Sequence, residues 1–519
     1  MHRPAAESRI RTAAGRWWPL AAVTVLTLSL AQAGAVPTWS GLVHAVALPP
    51  LDLALDLRML VARAPGYPQL AVAVAASLVL RTVVLGALFV TLGVTTSPWA
   101  AFRYAARLYA AAAVPLAVAG ALEFAGLASL YAWYAWLGLG LMVLMTLILT
   151  TRRLARPGTR LLRFPLVVGY LIALGALGAL GRVEPWGTPA AVVASAVLTG
   201  LVLGRMVAPP PAHGRRAGAP ATAAAAAAIL LMGALLVPSA AVQAPVAPDA
   251  SLLVVPGVDT SSGRGAAYRL DPAALGFPCD RVFYFSYRGP DGGAPQGQAE
   301  CPLRLHRPYA PQATQQPLGQ LVDAFDRQLV AIRRETGGAP VVVVTHSQGA
   351  VVAWRAAARG RAGGVPVLVS LAGFPHSPMG YPLPRVAGPG RVGADGLRVL
   401  SWLSRVVGFG TFDPDAPLPR EILARANGLE DVFAEPLPPE TAGVLLFATA
   451  DTIAAPEGHV MPGANTLTIG STHVGIIESP AAEAAVRAIL SGGRPSEDRL
   501  LAPILAAILP AFLPPPAEG

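Results

Sequence analysis

Residues 341–354 read VVVVTHSQGAVVAW: four valines, then Thr345, a polar triplet of His346, Ser347 and Gln348, and an apolar run opening at Gly349. A short unbroken β-branched run is the pattern of a strand buried on both faces, and the run after Gly349 reads as a helix. The triplet therefore falls on a corner between a core strand and a core helix. A serine hydroxyl is a poor nucleophile at neutral pH, and needs a base beside it and an anion trap in front. A sharp strand-to-helix turn lifts a serine Oγ clear of the sheet and aims a backbone N–H at a developing oxyanion. It also points a helix N-terminus at the same charge. Such a turn brings helix and strand very close, so the positions two before and two after the serine want minimal side chains. Gly349 meets that demand. Thr345 does not, so the corner must open slightly or the threonine must lie flat.

The surroundings of the corner repeat its alternation. A Pro/Ala linker at 244–250 leads into SLLVV at 251–255, broken by Pro256-Gly257. RVFYFSY follows at 281–287, a helical pattern at 318–336, VPVLVSLAG at 365–373, GVLLFATAD at 443–451, NTLTIG at 465–470 and a helix at 479–490. Short β-rich runs alternating with helices predict a mostly parallel sheet with helices on both faces over 251–492. A Pro/Gly-rich stretch at about 376–440, with one helical patch near Leu397 to Val407, is too long for an ordinary connection and reads as a cap.

The first half has a different character. The 519 residues are 54% hydrophobic and only 13% charged, and the mean hydropathy of +0.53 is that of a chain with membrane spans. Apolar runs near 17–36, 69–94, 108–127, 131–151, 164–182, 188–207 and 221–242 approach or exceed the ~20 residues a spanning helix needs. They define an all-α transmembrane domain over 1–243 with about seven spans, the first uncleaved. All 39 basic residues are arginine, and residues 1–243 hold 18 of them against five acids. The expected inner segments (1–16, 95–107, 152–163, 205–220) carry 14 arginines, against Arg58, Arg63 and Arg182 in the expected outer loops. That positive-inside bias puts the N-terminus in the cytoplasm of a plasma-membrane protein, and the odd span number puts everything after about 243 outside. Arg81 lies within the second span, where such a charge either marks a functional site or pairs with a neighbour such as Glu123, and no role is assigned to it. No basic face interleaved with aromatics marks a nucleic-acid partner. The tail at 493–519 is apolar, Pro-broken and too short to span.

Cys279 and Cys301 are the chain's two cysteines, and their spacing in an exported domain suits one disulfide. Two cysteines alone make no zinc site, and no histidine cluster has metal spacing.

With Ser347 flanked as T-H-S-Q-G, the chain resembles the α/β-hydrolase family, especially its lipase and esterase members, whose corner often reads G-H-S-x-G. The resemblance covers roughly 250–492, leaves the membrane half unmatched, and departs from the pattern at Thr345. It implies an oxyanion loop after the first core strand, where VVPGVD stands at 254–259. Gly257 would allow close approach, and the Val258 N–H would join that of Gln348. It implies a catalytic acid and base in the order Ser, Asp, His: Asp451 ends GVLLFATAD, and His473 lies on the loop before the last helix. FSYRG at 285–289, with Tyr309 and Thr314 beyond it, is similar to the stretch preceding the corner in lipase-like members. His346 is expected to face away from the corner, while His376 and His459 compete poorly as bases. Asp413 and Asp415 are expected to be cap acids without a catalytic role.

The expectation is a membrane-anchored serine hydrolase cleaving carboxylic, lipid-like or small esters through an acyl-enzyme, with no cofactor and no metal. The same triad would serve an acyltransferase, and peptidase or thioesterase activity stays open. A transporter or structural membrane protein with a non-catalytic hydrolase-like domain is the rival from another class. A complete triad in the right order and the near-absence of intramembrane acids weigh against it.

Overall fold

The computed structural model describes residues 4–128, 164–181, 186–207, 249–360, 363–376, 380–408, 410–424, 428–449, 451 and 464–493. Helices α1 (Pro4–Gln32), α2 (Leu51–Arg63), α3 (Tyr67–Thr91), α4 (Pro98–Ala128), α5 (Phe164–Leu180) and α6 (Gly187–Val207) form the described first half. Where the sequence predicts seven spans, two helices among the described residues are long and apolar enough to cross a membrane, α3 and Gly187–Met206 of α6. The apolar parts of α1 and α5 are shorter, Trp17–Gln32 and Gly169–Leu180. The expected spans at 131–151 and 221–242, most of the linker and all but the start of the tail lie outside the described residues.

The expected outer loop between the first two spans is folded inward. Its 3₁₀ turn Ser40–Val46 is wholly buried, and α2 buries Leu51, Leu53 and Leu55. This fold-back supplies Arg81 with its carboxylate partners. Arg81 grips Asp56 through two bonds of 2.8 and 2.7 Å and lies 3.9 Å from Asp52, because α2 packs on α3. The Tyr109 hydroxyl donates to Asp52 at 2.6 Å.

The described residues of the second half hold one sheet of six parallel strands in the order β2-β1-β3-β4-β5-β6. These are β1 (Ser251–Val255), β2 (Val282–Tyr284), β3 (Val341–His346), β4 (Val367–Leu371), β5 (Ala442–Ala448) and β6 (Ala464–Ile469). Helices α7 (Leu318–Glu335), α8 (Gly349–Ala358), α9 (Arg391–Val406), α10 (Pro417–Leu423), α11 (Gly428–Phe433) and α12 (Pro480–Leu490) complete the fold. The valine run is unbroken because each face of β3 has its own apolar partner. Val342 and Val344 pack in the cluster that holds Ala485 and Ile489 of α12. Val341 and Val343 pack in the one that holds Phe325 of α7 and Trp354 of α8. Burying each valine contributes roughly 1.5–3 kcal/mol.

From β1 the chain crosses to β2 on one side and returns to β3 on the other. β1 and β3 stay paired to Val255 and Thr345, but the connections that leave their carboxyl ends lead to opposite sides, and a parallel sheet forms its crevice at such a point. Cys279 and Cys301 are joined by a disulfide across a separation of 22 residues.

Part of the 376–440 stretch, expected as a cap, packs into the core. Leu418 and Ile422 of α10, with Leu429 and Phe433 of α11, are buried in the same cluster as Trp354 and Phe325, so these two helices belong to the core. Among the described helices of this stretch, α9 contributes no residue to that cluster. It packs against α2 and α4. The Tyr67 hydroxyl donates to Asp395 at 3.1 Å, and the Gly388 amide to the Pro65 carbonyl at 3.2 Å. Asp395 and Asp415 both pair with Arg398.

Candidate active site

The corner after β3 forms as the composition demands. Ser347 has φ +55°, the left-handed region that a non-glycine residue occupies at a cost of about 1–3 kcal/mol unless its surroundings hold it there. Its amide is held by the Leu371 carbonyl at 3.0 Å, and helix α8 begins two residues later. Gly349 has no room for a side chain: a Cβ there would lie 2.7 Å from the Val255 carbonyl oxygen and 2.8 Å from that of Pro256. Thr345 is accommodated because it still belongs to β3, fully buried, with its hydroxyl directed at the Val369 carbonyl of β4 at 3.4 Å. The threonine lies against the neighbouring strand, clear of the helix.

Three side chains from three strand ends meet at this corner. His473 Nε2 lies 2.8 Å from Ser347 Oγ, and His473 Nδ1 lies 2.7 Å from Asp451 Oδ2. Asp451 follows β5, and His473 sits between β6 and α12. A carboxylate only accepts, so Nδ1–H donates to Asp451 and Nε2 is left to accept from the serine hydroxyl. The chain Ser347–His473–Asp451 is continuous and almost closed to solvent: Ser347 is 2% exposed, His473 and Asp451 0%.

Gly257 of the loop after β1 lies against the serine, where an added Cβ would come 3.0 Å from the Ser347 Cβ. The Gln348 side chain donates to the Thr314 carbonyl at 2.7 Å, which turns it away from the corner. The Thr314 hydroxyl accepts from the Asp259 amide at 3.2 Å. The loop after β1, the 311–316 segment and the start of α8 are thus tied together.

His346 does not face away, as its place on the corner had suggested. Its Nε2 donates to the His473 carbonyl at 2.9 Å, and the two rings lie 5.2 Å apart. Burial first, then the neighbouring His473, lowers its pKa to about 3, so it stays neutral and ties down the loop that carries His473. His346 alternates with Thr345 along a parallel strand, and a sequence does not show which loop its ring will meet.

His376 bonds Glu430 at 2.7 Å, and His459 lies outside the described residues. Asp413 pairs with Arg405 at 3.1 Å and Asp415 with Arg398 at 2.9 Å. Among the described residues no group of three or more His, Cys, Asp or Glu could hold a metal ion.

No family model and no curated protein matches this chain. Among solved structures, the crystal structure of Aspergillus fumigatus lipase B is similar at 13% identity, covering 73% of this chain and 90% of that chain, with a TM-score of 0.29. At that score the likeness assigns neither activity nor site residues to this chain.

Proposed function

We propose that this protein is a membrane-anchored serine hydrolase that cleaves carboxylic, lipid-like esters through an acyl-enzyme. The observation that carries the reading is the Ser347–His473–Asp451 hydrogen-bond chain on a strained corner. Ser347 Oγ attacks the ester carbonyl while His473 Nε2 takes its proton, and Asp451 holds the imidazole in the tautomer that can accept it. The N–H groups of Val258 and Gln348 receive the oxyanion at the N-terminus of α8. As the tetrahedral intermediate collapses, His473 returns the proton to the leaving alcohol. Water then attacks the acyl-enzyme by the same steps in reverse.

An anchored position and a lipid-like substrate are supported by α9. Its buried side holds Ala394 and Leu397, and its other side carries the Arg391–Asp395–Arg398 ion pairs in the first half and exposed Val399, Trp402 and Val406 in the second, with exposed Val407 just beyond. Trp402, 55% exposed, stands on the helix that bonds the start of α3, the longer candidate span. An exposed apolar patch next to a spanning helix suits a bilayer surface. On this reading α3 crosses the plasma membrane with Tyr67 outside, and the α/β domain is extracytoplasmic. Opening the buried triad then requires displacement at the α9 side, since α10 and α11 are core.

The test is turnover. The full chain in detergent should hydrolyse p-nitrophenyl esters with a preference that varies with acyl length, and Ser347→Ala should abolish turnover at an unchanged melting temperature. Full turnover in a folded Ser347→Ala variant would end the reading.

A further inference from the structure

We infer that Thr260, Tyr309 and Tyr268 form a hydroxyl relay that aims the Val258 amide into the oxyanion hole. The inference rests on the hydrolase reading above and assigns that site three positioning residues.

The relay begins at a backbone carbonyl. The Thr260 hydroxyl donates to the Gly257 carbonyl at 2.9 Å. That carbonyl and the Val258 N–H belong to one trans peptide plane and point in opposite directions. Holding the oxygen on the Thr260 side therefore holds the N–H on the other. Gly257 itself lies against Ser347, and the preceding carbonyl, Pro256, accepts from the Tyr287 hydroxyl. Both planes of the loop are fixed from behind by side-chain hydroxyls.

Proton counting sets the direction of the chain. A hydroxyl has one proton, and Thr260 has given its own to Gly257. In its 3.1 Å contact with the Tyr309 hydroxyl it must accept. Tyr309 has then given its proton to Thr260, so it accepts from Tyr268 at 2.9 Å. Tyr268 is in turn hydrogen-bonded to the Gly263 backbone. The three bonds run head to tail towards the Gly257 carbonyl, and bonds in such a chain polarise one another. Burial pushes the hydroxyls of Tyr268 and Tyr309 above their ordinary pKa, so both keep their protons at any working pH. Tyr309 is clamped besides: its amide donates to Ser262 Oγ at 2.8 Å, and that hydroxyl contacts His306 at 2.9 Å.

A purely structural role would satisfy three buried hydroxyls and leave catalysis alone. The relay instead ends on the peptide plane that carries the proposed oxyanion donor. The readout must therefore separate stability from transition-state binding.

The experiment compares Thr260→Val, Thr260→Ser and Tyr309→Phe in the full detergent-solubilised chain. It measures kcat and KM on a short soluble ester, and the affinity of a trifluoromethyl ketone, whose serine adduct carries the oxyanion. The relay predicts that Thr260→Val lowers kcat by about 10- to 100-fold, less than the ~10²–10³ of deleting a donor outright. KM should stay within about twofold, ketone affinity should fall by the same factor as kcat, and Thr260→Ser should recover most of it. Tyr309→Phe should show the same pattern at smaller size, and it supplies the answer if Thr260→Val does not fold. Wild-type kcat and ketone affinity in the folded Thr260→Val variant, or in Tyr309→Phe if valine is not tolerated, overturn the relay while the hydrolase reading stands. A wild-type protein that neither hydrolyses esters nor labels at Ser347 overturns both.

Discussion

Replacing Gly349 by alanine should push the two halves of the site apart. The added Cβ would sit 2.7 Å from the Val255 carbonyl oxygen, 2.8 Å from the Pro256 oxygen and 3.1 Å from Val255 Cγ1. Carbon–carbonyl contacts settle at about 3.3–3.6 Å, so either the end of β1 or the start of α8 must retreat by roughly 0.6 Å. Two of the three obstacles are backbone oxygens, one on the last residue of β1 and one on the residue after it, and cannot swing away as a side-chain end would. Overpacking of this kind costs about 1–3 kcal/mol, which in a domain of this size lowers Tm by roughly 2–12 °C. The residues displaced adjoin Gly257, so the same shift moves the oxyanion loop relative to Ser347. A 1 Å misplacement costs about 10²-fold in rate, and a shift of this size should lower kcat about tenfold with little change in KM. Thermal melting and ester kinetics read both effects. Gly319→Ala in α7, where no atom lies within 4 Å of the added Cβ, is the control and should be neutral or mildly stabilising. A Gly349→Ala protein with wild-type Tm and wild-type kcat would refute the close approach on which the corner is argued.

His346 is held at a pKa of about 3 by burial and by His473, against ~6.5 unfolded. Between these values the unfolded chain holds a proton that the folded one does not, so stability should fall as pH drops, by about 1.4 kcal/mol per unit. His346→Gln, which can still donate to the His473 carbonyl, should flatten the Tm–pH profile over that window; an unchanged slope would place the titration elsewhere. Cys279→Ser with Cys301→Ser should cost about 3 kcal/mol in urea unfolding from the lost loop constraint, and an unmoved midpoint would contradict it. Asp451→Asn should lower kcat by about 10⁴-fold through the wrong imidazole tautomer, and His473→Ala by more. His376→Ala should stay near wild type, since His376 is occupied with Glu430; the reverse ranking in ester kinetics would reassign the base.

Features carried by local pattern were legible in the sequence. The valine run, the strand ending near Asp451 and the helix at 318–336 all form where their periodicity places them, because burial on two faces leaves a compositional mark. The order Ser347, Asp451, His473 was legible only through family resemblance, since nothing local ties Asp451 to His473 across 22 residues. Long-range packing was not legible. Asp52 and Asp56 lie between the first two expected spans with nothing in the sequence to link them to Arg81, yet α2 folds back and gives them to it. The Pro/Gly content of 376–440 suggested a mobile cover, but Leu418, Leu429 and Phe433 are core residues on helices too short to show a clear period. The relay pairs Thr260 with Tyr309, 49 residues apart, and Tyr309 with Tyr268, 41 apart. Isolated hydroxyls carry no periodicity that would reveal such pairs.

The central claim is that Ser347 is a nucleophile activated by His473. Treating the full chain with a fluorophosphonate and mapping the adduct by peptide mass spectrometry tests it most directly. The account predicts one adduct, on Ser347 in the peptide that contains THSQG, formed rapidly by the wild type and lost or strongly slowed in His473→Ala. Labelling of a different serine, or equal labelling of Ser347 with and without His473, would contradict it.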